Sequence, residues 1–306
     1  MPDARRVVPV LVGPTAVGKT AVAEALAAHW PLAVISADSR QVYRGLDIGT
    51  AKPSAALRAR VPHWGLDLVE PGDRYSAGRF ARDSAAWLAE IPAGRRPLVV
   101  GGTGFYVRAL VDGLFHEPPL DPARRTRLRD LLKHAQDLAA WAVRLDPAFP
   151  GGGRQRAARS VEVALLTGRP LSWWQRHAAA AGLVTPWYVR LTVPRAVLRR
   201  RIGERTVAML AAGLTAEVEA LLGRGVPADA PGLDGVGYRE VVAHLAGTLP
   251  RAGLQEAIER ATARYAKRQE TWFRHQLPAA TLTLDATGDA AGVAADIAAR
   301  WAARGR

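Results

Sequence analysis

Residues 13–20 read GPTAVGKT, between the apolar run VVPVLV at Val7–Val12 and an Ala/Leu-rich pattern at Ala21–Ala28. The segment matches the phosphate-binding pattern G-x-x-x-x-G-K-[ST], and it stands where that pattern requires, after a strand and before a helix. Glycines let the main chain wrap closely around phosphate oxygens, which then face loop amides and a helix N-terminus. We therefore predict a phosphate or diphosphate site made of Gly13, Thr15, Ala16, Val17, Gly18, Lys19 and Thr20.

Two side chains of this loop predict further chemistry. Lys19 adds a positive charge beside the phosphates, and the Thr20 hydroxyl is suited to ligate Mg²⁺. We therefore expect Mg²⁺ as a cofactor, with Thr20 as a ligand from the protein.

The pattern of strands and helices continues after the loop. Further strands are expected at Leu32–Ile35 and Leu98–Val100, and a helix at Ala77–Leu88 with Ser76 as its N-cap. The GGTG segment after the third strand leads into a helical run that reaches Leu110. Strands that alternate with helices predict an α/β fold, a P-loop-type parallel sheet with helices on both faces.

A helical insertion is expected to interrupt this core. Residues 118–186 contain no convincing strand, and three helices are predicted there, at Pro122–His134, Asp137–Leu145 and Arg154–Thr167. Strand and helix patterns then return at Trp187–Val193, Arg195–Ala212, Thr281–Leu284 and Asp289–Ala303. The predicted division is a catalytic core of residues 1–117 and 187–306, with an insertion of residues 118–186.

Composition narrows the class of protein. The 306 residues include no cysteine, which excludes a disulfide scaffold and cysteine-ligated zinc or iron–sulfur sites. No run approaches the roughly 20 apolar residues that cross a bilayer, and the N-terminus has no long apolar segment. We expect a cytoplasmic monomer that binds no membrane.

The net charge of +14 indicates an anionic partner. Residues 116–186 carry 11 basic and 6 acidic residues, the densest excess along the chain. Only four of the 42 basic residues are lysine. Because a GC-rich genome also produces such an arginine bias, the positive sign of the net charge is more informative than the preference for arginine over lysine.

A phosphate loop does not by itself name a reaction, because it can hold ATP or the diphosphate of another substrate. The third strand ends in Val99-Val100-Gly101-Gly102-Thr103, without the acidic residue that ATP-hydrolysing enzymes place there. Asp38 follows the second strand, where α/β sheets bind ligands, but an aspartate there can equally cap a helix. Position alone does not decide whether Asp38 binds a ligand or caps a helix.

Five segments in order resemble the tRNA dimethylallyltransferase family, also called tRNA isopentenyltransferases. They are GPTAVGKT, SADSRQVYRGLDIGTAKP, PLVVGGTGFYVRAL, GVGYREV and YAKRQETWFRH, and they extend from Gly13 to His275. The resemblance implies transfer of a dimethylallyl group from dimethylallyl diphosphate to N6 of the adenine on the 3′ side of the anticodon. It also implies Mg²⁺, a P-loop-like core and a helical insertion that embraces the tRNA.

The same resemblance assigns roles to individual residues. Asp38 would be the general base on N6, with Thr103 and Lys19 at the reaction centre. Arg201 and Arg205, four residues apart on one helix face, would join the phosphate loop in binding diphosphate. The residues expected to contact tRNA are Asp38, Ser39, Arg40, Gln41, Arg125, Gln155, Arg156, Arg159, Gly237, Tyr238, Arg239, Lys267, Arg268, Gln269 and Arg274. Arg40 and Asp234 depart from the family pattern, and we expect Trp272 and Phe273 to be core residues.

Three other functions remain to be weighed. A small-molecule kinase and an enzyme that prenylates free AMP or ADP would both use the phosphate loop. A non-catalytic RNA-binding protein would retain the basic surface, but it would not need an intact Lys19, Thr20 and Asp38.

Overall fold

One six-stranded parallel sheet organises the core in the computed structural model, which describes residues 5–115, 118, 120–178 and 180–304. The strands are β1 (Val7–Val12), β2 (Leu32–Ser36), β3 (His63–Trp64), β4 (Arg96–Gly101), β5 (Thr185–Thr192) and β6 (Leu282–Asp285). Their order is β3-β2-β4-β1-β5-β6, and every neighbouring pair is parallel. Leu11 of β1 lies opposite Val100 of β4 on one side and Val189 of β5 on the other.

Helices follow the strands in the order typical of an α/β fold. They are α1 (Lys19–Leu26), α2 (Ala55–Arg60), α3 (Ala77–Glu90), α4 (Gly104–Val111), α5 (Pro122–His134), α6 (Leu138–Leu145), α7 (Arg154–Thr167), α8 (Leu171–His177), α9 (Arg195–Ala211), α10 (Leu214–Gly223), α11 (Tyr238–Leu245), α12 (Arg251–Gln276) and α13 (Ala290–Ala303). Among the described residues, no single helix is both long and apolar enough to cross a membrane.

The sheet is buried on both faces. Leu11, Val34 and Leu191 point to one face and pack in a cluster with residues of α1 and α13. Val10 and Val99, at the alternate positions of β1 and β4, are equally buried and face the other way. A sheet that is covered on both faces confirms the predicted α/β class, and helix-covered parallel strands of this kind are continuously apolar.

The chain divides into two compact units, Met1–Val111 with Leu183–Arg306, and Asp112–Gly182. The core resumes earlier than the predicted residue 187, because the Leu183 amide already donates to the Leu110 carbonyl (2.8 Å) and β5 begins at Thr185. Further differences are β3, only two residues long, and β6, displaced by one residue from the predicted Thr281–Leu284.

Helices α5 to α8 lie in the unit Asp112–Gly182, which has its own core. Helix α5 begins where the Asp121 carboxylate accepts from the amides of Ala123 and Arg124, with Pro122 in the first helical position. The side chains buried at the centre of this unit come from α5, α6 and α7, and they are Leu132, Leu138, Ala142, Ala157 and Val161.

Candidate active site

Three neighbouring strands deliver the predicted catalytic residues to one end of the sheet. The phosphate loop follows β1, Asp38 follows β2, and Thr103 follows β4. Because β2, β4 and β1 are adjacent and parallel, their carboxyl ends lie side by side, which is where open α/β sheets bind ligands. The loop and Asp38 line a cavity of about 520 Å³ that also reaches Arg205 and Tyr265.

The phosphate loop presents main-chain donors to this cavity. Gly18 has a φ of +108°, a left-handed conformation that favours glycine, and it starts α1 without a side-chain cap. The first hydrogen bond of the helix runs from the Val22 amide to the Gly18 carbonyl (3.0 Å). Within the described chain, the amides of residues 19–21 therefore have no acceptor, and they are free to bind an anion.

Lys19 lies inside the loop that carries it. Its Nζ donates to the carbonyls of Gly13 (2.9 Å) and Pro14 (2.7 Å). Burial lowers the pKa of the ammonium to about 8, the Asp38 carboxylate opposes this shift, and the Arg205 guanidinium adds to it. The charge of Lys19 is therefore sensitive to pH in the mildly alkaline range.

Asp38 is held by a turn of its own main chain. Its Oδ1 accepts from the Arg40 amide (2.8 Å), an Asx-turn contact that fixes the carboxylate. Thr103 braces the same turn, because its Oγ1 accepts from the Ser39 amide (3.0 Å) and donates to the Ser39 hydroxyl (3.3 Å). Asp38 does not cap a helix here.

Tyr265 is a site residue that the sequence interpretation missed. It lines the cavity with Asp38, and its hydroxyl lies close to the Thr103 side chain. Burial, and secondly the Asp38 charge, raise the pKa of the Tyr265 hydroxyl to about 12, so it stays protonated at neutral pH. Its spacing from Gln269, one helical turn along α12, was the available signal.

The two arginines predicted to bind diphosphate differ in how they are held. Arg201 donates to the carbonyls of Val17 (2.9 Å) and Ala286 (2.8 Å), so it buttresses the loop. Arg205 also lines the cavity, but no hydrogen bond or ion pair in the described chain engages its guanidinium. Burial lowers its pKa, and the Asp38 charge opposes the shift, yet an arginine remains charged.

Two glutamines predicted to contact tRNA are internal connectors. Gln269 is buried, its Oε1 accepts from the Thr15 amide (2.8 Å), and its Nε2 donates to the Gly102 carbonyl (2.8 Å). Gln41 accepts from the Ser36 hydroxyl (2.7 Å) and donates to the Thr50 carbonyl (3.1 Å). Their amides are occupied by the protein, although both side chains also line the cavity with Asp38, and their contact with tRNA stays a prediction.

Tyr238 was also predicted to contact tRNA, but it is one of the largest fully buried side chains of the core. Its hydroxyl donates to Glu217 (2.6 Å), whose carboxylate also accepts from the amides of Asp47 (2.9 Å) and Ile48 (2.8 Å). Tyr238 and Glu217 together hold the loop that follows Asp38. The neighbouring Gly237 amide is likewise occupied, by Glu240 Oε2 (2.7 Å).

Arg40 and Asp234, the two departures from the family pattern, lie together. They form an ion pair at 3.8 Å at the rim of a second cavity that also contains Asp38. Arg40 Nη1 donates in addition to the Pro231 carbonyl (2.6 Å). Arg239 lines the same cavity and pairs with Glu240 (3.1 Å).

The cations of α12 point in different directions. Arg268 lines the cavity that contains Asp38 and lies over the Tyr265 ring (5.6 Å to its centre). Lys267 and Arg274 are exposed on the other side of the helix. Phe273 is buried as predicted, whereas its neighbour Trp272 is only half-buried and packs on Gly104.

The arginines predicted to bind tRNA in the insertion surround a buried carboxylate. Glu162 accepts from Arg125 Nε (2.8 Å), Arg129 Nε (2.9 Å) and Arg159 Nη1 (2.8 Å). Burial alone would raise the pKa of Glu162, but the hydrogen bond from Arg129 and the three positive charges bring it below its usual value. Arg125 and Arg159 therefore help to hold the unit together, while Gln155 and Arg156 are exposed on α7.

Glu162→Gln should destabilise the insertion, because three arginines would lose their common counter-charge. We expect a loss of about 2–3 kcal/mol at pH 7, less than for a fully buried ion pair since the arginines are partly exposed. Folding lowers the pKa of Glu162, so its contribution to stability in the wild type is fully present above the pKa that Glu162 has in the unfolded chain. That contribution is lost as the pH falls through the pKa of Glu162 in the folded protein. Hydrogen exchange of the α5 and α7 amides measures both effects.

Asp130→Asn is the matched control. Asp130 pairs with Lys133 in the same unit, but both side chains are more than half exposed, so we expect no measurable change in the protection of the α5 and α7 amides. Equal protection in Glu162→Gln and wild-type protein would contradict a structural role for Glu162.

The donor set at the cavity fits a magnesium ion that is held chiefly by its substrate. Among the described residues, no group of three or more His, Asp or Glu side chains could hold a metal. The Thr20 hydroxyl and the Asp38 carboxylate nevertheless line one cavity. Mg²⁺ characteristically takes one or two protein oxygens, with waters and phosphate oxygens completing its shell.

Comparison with known protein families gives two matches. The model of the IPP transferase family matches residues 41–276, and that of the isopentenyl transferase family matches residues 6–60. Curated relatives include the tRNA dimethylallyltransferase of Halorhodospira halophila, 45% identical over 90% of this chain and 92% of the relative. The tRNA dimethylallyltransferase 1 of Trichlorobacter lovleyi is 44% identical over 87% of this chain and 90% of its own.

Solved structures agree with the sequence relatives. The full-length tRNA isopentenylpyrophosphate transferase of Bacillus halodurans has a TM-score of 0.71 and 32% identity, covering 98% of this chain and 96% of its own. A eukaryotic dimethylallyltransferase acting on tRNA has a TM-score of 0.80 over 98% of this chain and 80% of its own. At 24% identity, that likeness bears on the fold alone.

Proposed function

The chain belongs to the IPP transferase family, and from that membership we propose that it transfers the dimethylallyl group of dimethylallyl diphosphate to N6 of an adenine in tRNA. It is a prenyl-transferring enzyme whose relatives act on tRNA. The target we propose is the adenine beside the anticodon on its 3′ side. The observation that carries this proposal is the meeting of the phosphate loop, Asp38 and Thr103 at the ends of three adjacent strands.

In this proposal the phosphate loop binds a leaving group. The C–O bond between allylic C1 and the diphosphate breaks, and the electron pair leaves with the diphosphate oxygen. The negative charge that develops there faces the amides of residues 19–21 and the side chains of Lys19 and Arg205. Stabilisation of such developing charge is usually the largest contribution to rate enhancement. Arg201 contributes through position, because its donors hold the loop itself.

Asp38 acts on the other reactant. The adenine N6 nitrogen forms the new bond to C1 and loses a proton, which the Asp38 carboxylate accepts. The Asx turn occupies only Oδ1 of Asp38, and no hydrogen bond in the described chain engages Oδ2. Thr103 maintains the geometry beside it through its two hydrogen bonds with Ser39, and Tyr265 lies next to Thr103.

The Thr20 hydroxyl supplies the protein oxygen that would hold Mg²⁺ beside the diphosphate. When bound, the ion neutralises charge on the departing diphosphate. The diphosphate and solvent would provide the remaining ligands, which agrees with the small number of protein carboxylates near the loop.

The tRNA contacts that we retain are those with accessible groups. They are Asp38, Ser39, Arg40, Arg156, Arg239, Lys267, Arg268, Arg274 and Gln155. Extrusion of the target adenine from its stack costs a few kcal/mol, least in a single-stranded loop. The cavity rimmed by Arg40 and Asp234 leads to the Asp38 carboxylate that the base must reach.

Mass spectrometry of tRNA nucleosides tests the proposal. After incubation with dimethylallyl diphosphate and Mg²⁺, unmodified tRNA should gain one dimethylallyl group on an anticodon-loop adenosine. Free AMP and ADP, incubated in parallel, should remain unchanged. Modification of AMP but not of tRNA would replace this function by prenylation of free nucleotides.

The affinity for diphosphate should fall as the pH rises from about 7 to about 9. Burial lowers the pKa of Lys19 to about 8, so its charge in the ligand-free enzyme is lost over this interval. Calorimetric titration with diphosphate at several pH values measures the effect. Lys19→Met should bind more weakly at every pH and should show a flatter profile, whereas a profile as steep as that of the wild type would assign the titration to another group.

A further inference from the structure

The side of α12 that faces away from Asp38 forms the wall of a third concavity, of about 850 Å³. The opposite wall comes from the start of α9 and from Arg190 of β5. Its floor is apolar, and Leu198, Ile202 and Ala266 are buried there in a small cluster. We refer to this concavity as the basic groove.

Cations form both rims of the basic groove. Seven positive side chains and two carboxylates line it. Arg260 is paired with Glu256, and Gln255 donates to Glu259 (2.8 Å). The cations that have no hydrogen bond or ion pair through their side chains in the described part of the chain are Arg190, Arg195, Arg199, Arg264, Lys267 and Arg274.

Six unneutralised cations around one concavity repel one another, and an anionic ligand relieves that repulsion. Some arginines elsewhere on the surface are paired with carboxylates, as in Arg200–Glu204 on α9 and Arg300–Asp296 on α13. The groove brings six cations without such a partner to the walls of one concavity.

The shape of the basic groove selects an extended anion. Its cations stand on two rims, one on α12 and the other on α9 and β5. Along α12 the unpaired cations run from Arg264 to Arg274, about 15 Å at 1.5 Å per residue. A nucleic acid backbone carries one negative charge per nucleotide, so a strand that lies along this rim would place several phosphates beside it.

We propose that the basic groove binds the phosphodiester backbone of the tRNA. This inference rests on the proposed function for the identity of the RNA. It adds Arg190, Arg195, Arg199 and Arg264 to the contacts proposed above, and it places Lys267 and Arg274 on a surface separate from the one that surrounds Asp38. The apolar floor suits sugars and bases, while the rims suit phosphates.

The test is the double variant Arg199→Gln with Arg264→Gln. Both side chains are exposed and lie outside the diphosphate site, so the fold and the KM for dimethylallyl diphosphate should be unchanged. We expect weaker binding of unmodified tRNA. In a plot of log affinity against log salt concentration, the slope should be shallower by about one for each cation removed. The kcat at saturating tRNA should remain at the wild-type level.

Two further variants test whether tRNA affinity follows the charge of the groove. Glu270→Gln removes a carboxylate from the same groove and should tighten tRNA binding. Arg200→Gln, the adjacent residue of α9, removes a cation that is paired with Glu204 and lies outside the groove, so binding should be unchanged. Equal losses in Arg200→Gln and in the double variant would overturn the proposal, as would an unchanged salt slope in the double variant.

A small-anion site is the remaining outcome that would overturn the proposal. Inorganic phosphate, compared with chloride at equal ionic strength, should compete with tRNA no better in wild-type protein than in the double variant. Dimethylallyl transfer by the wild-type protein is measured separately. Its absence would contradict the proposed function, whereas transfer together with unaltered tRNA binding in the double variant would contradict only the groove.

Discussion

Asp38→Asn should reduce the rate of dimethylallyl transfer by roughly 10²- to 10⁴-fold, the range that general acid–base groups contribute. Asparagine keeps an oxygen that can accept from the Arg40 amide, so the turn that positions residue 38 is retained. What is lost is the capacity to accept the N6 proton. Single-turnover measurements at saturating tRNA and dimethylallyl diphosphate isolate this step from binding.

Asp234→Asn is the control for Asp38→Asn. It makes the same chemical change in an exposed carboxylate at the rim of a cavity that contains Asp38. The Arg40–Asp234 pair is long and solvated, so its removal should alter the rate by no more than about fivefold. A rate for Asp38→Asn that matches the rate for Asp234→Asn would remove Asp38 from the role of base.

Arg205→Gln should lower kcat by about 10²- to 10³-fold, the cost of removing one donor aimed at developing negative charge. The guanidinium lines the cavity and is engaged by no hydrogen bond or ion pair in the described chain, so its donors are available to the diphosphate. The same property means that its loss breaks no internal contact. Stability should therefore be unchanged while transfer and diphosphate affinity fall together.

Arg201→Gln separates positioning from direct binding. Arg201 donates to Val17 and Ala286, so its loss should loosen the phosphate loop and lower the melting temperature as well as the rate. Arg200→Gln, on the exposed side of the same helix, should alter neither. If Arg205→Gln retained the wild-type kcat, the diphosphate would be held without this residue.

The parts of the site that the sequence predicts well depend on short sequence motifs and on the rule that parallel strands end at the same edge of a sheet. The phosphate loop has a pattern that specifies its own backbone path, and Asp38 and Thr103 follow strands whose ends must meet in a parallel sheet. The insertion was equally visible, because a strand pattern stops near Leu114 and returns near Trp187. These features depend on residues close together in the chain.

The direction of a side chain is what the sequence does not determine. Gln269 and Gln41 are polar residues in family-like segments, but their partners lie on distant strands and loops that no local pattern reveals. Tyr238 is buried because Glu217, on another helix, reaches its hydroxyl. Arg201 and Arg205 share a helix face, yet only Arg201 meets carbonyl groups supplied by a segment 85 residues away.

Short or polar elements were missed for related reasons. A strand of two residues, such as β3, shows no periodicity, and its formation depends on the edge that β2 offers. Helix α12 is largely polar, and its few buried positions, such as Leu254 and Ile258, give a weak signal. The basic groove arises only when α12 packs beside α9, so its cations looked like a general excess of charge.

The most direct test of the account follows both halves of dimethylallyl diphosphate at once. The substrate carries radiocarbon at C1 and radiophosphorus in its terminal phosphate, and the acceptor is unmodified tRNA. The carbon label should enter an anticodon-loop adenosine while an equal amount of phosphorus label is released as diphosphate. Transfer of the phosphorus label to an acceptor, with no carbon label in tRNA, would show that the phosphate loop holds a phosphoryl donor and would contradict the account.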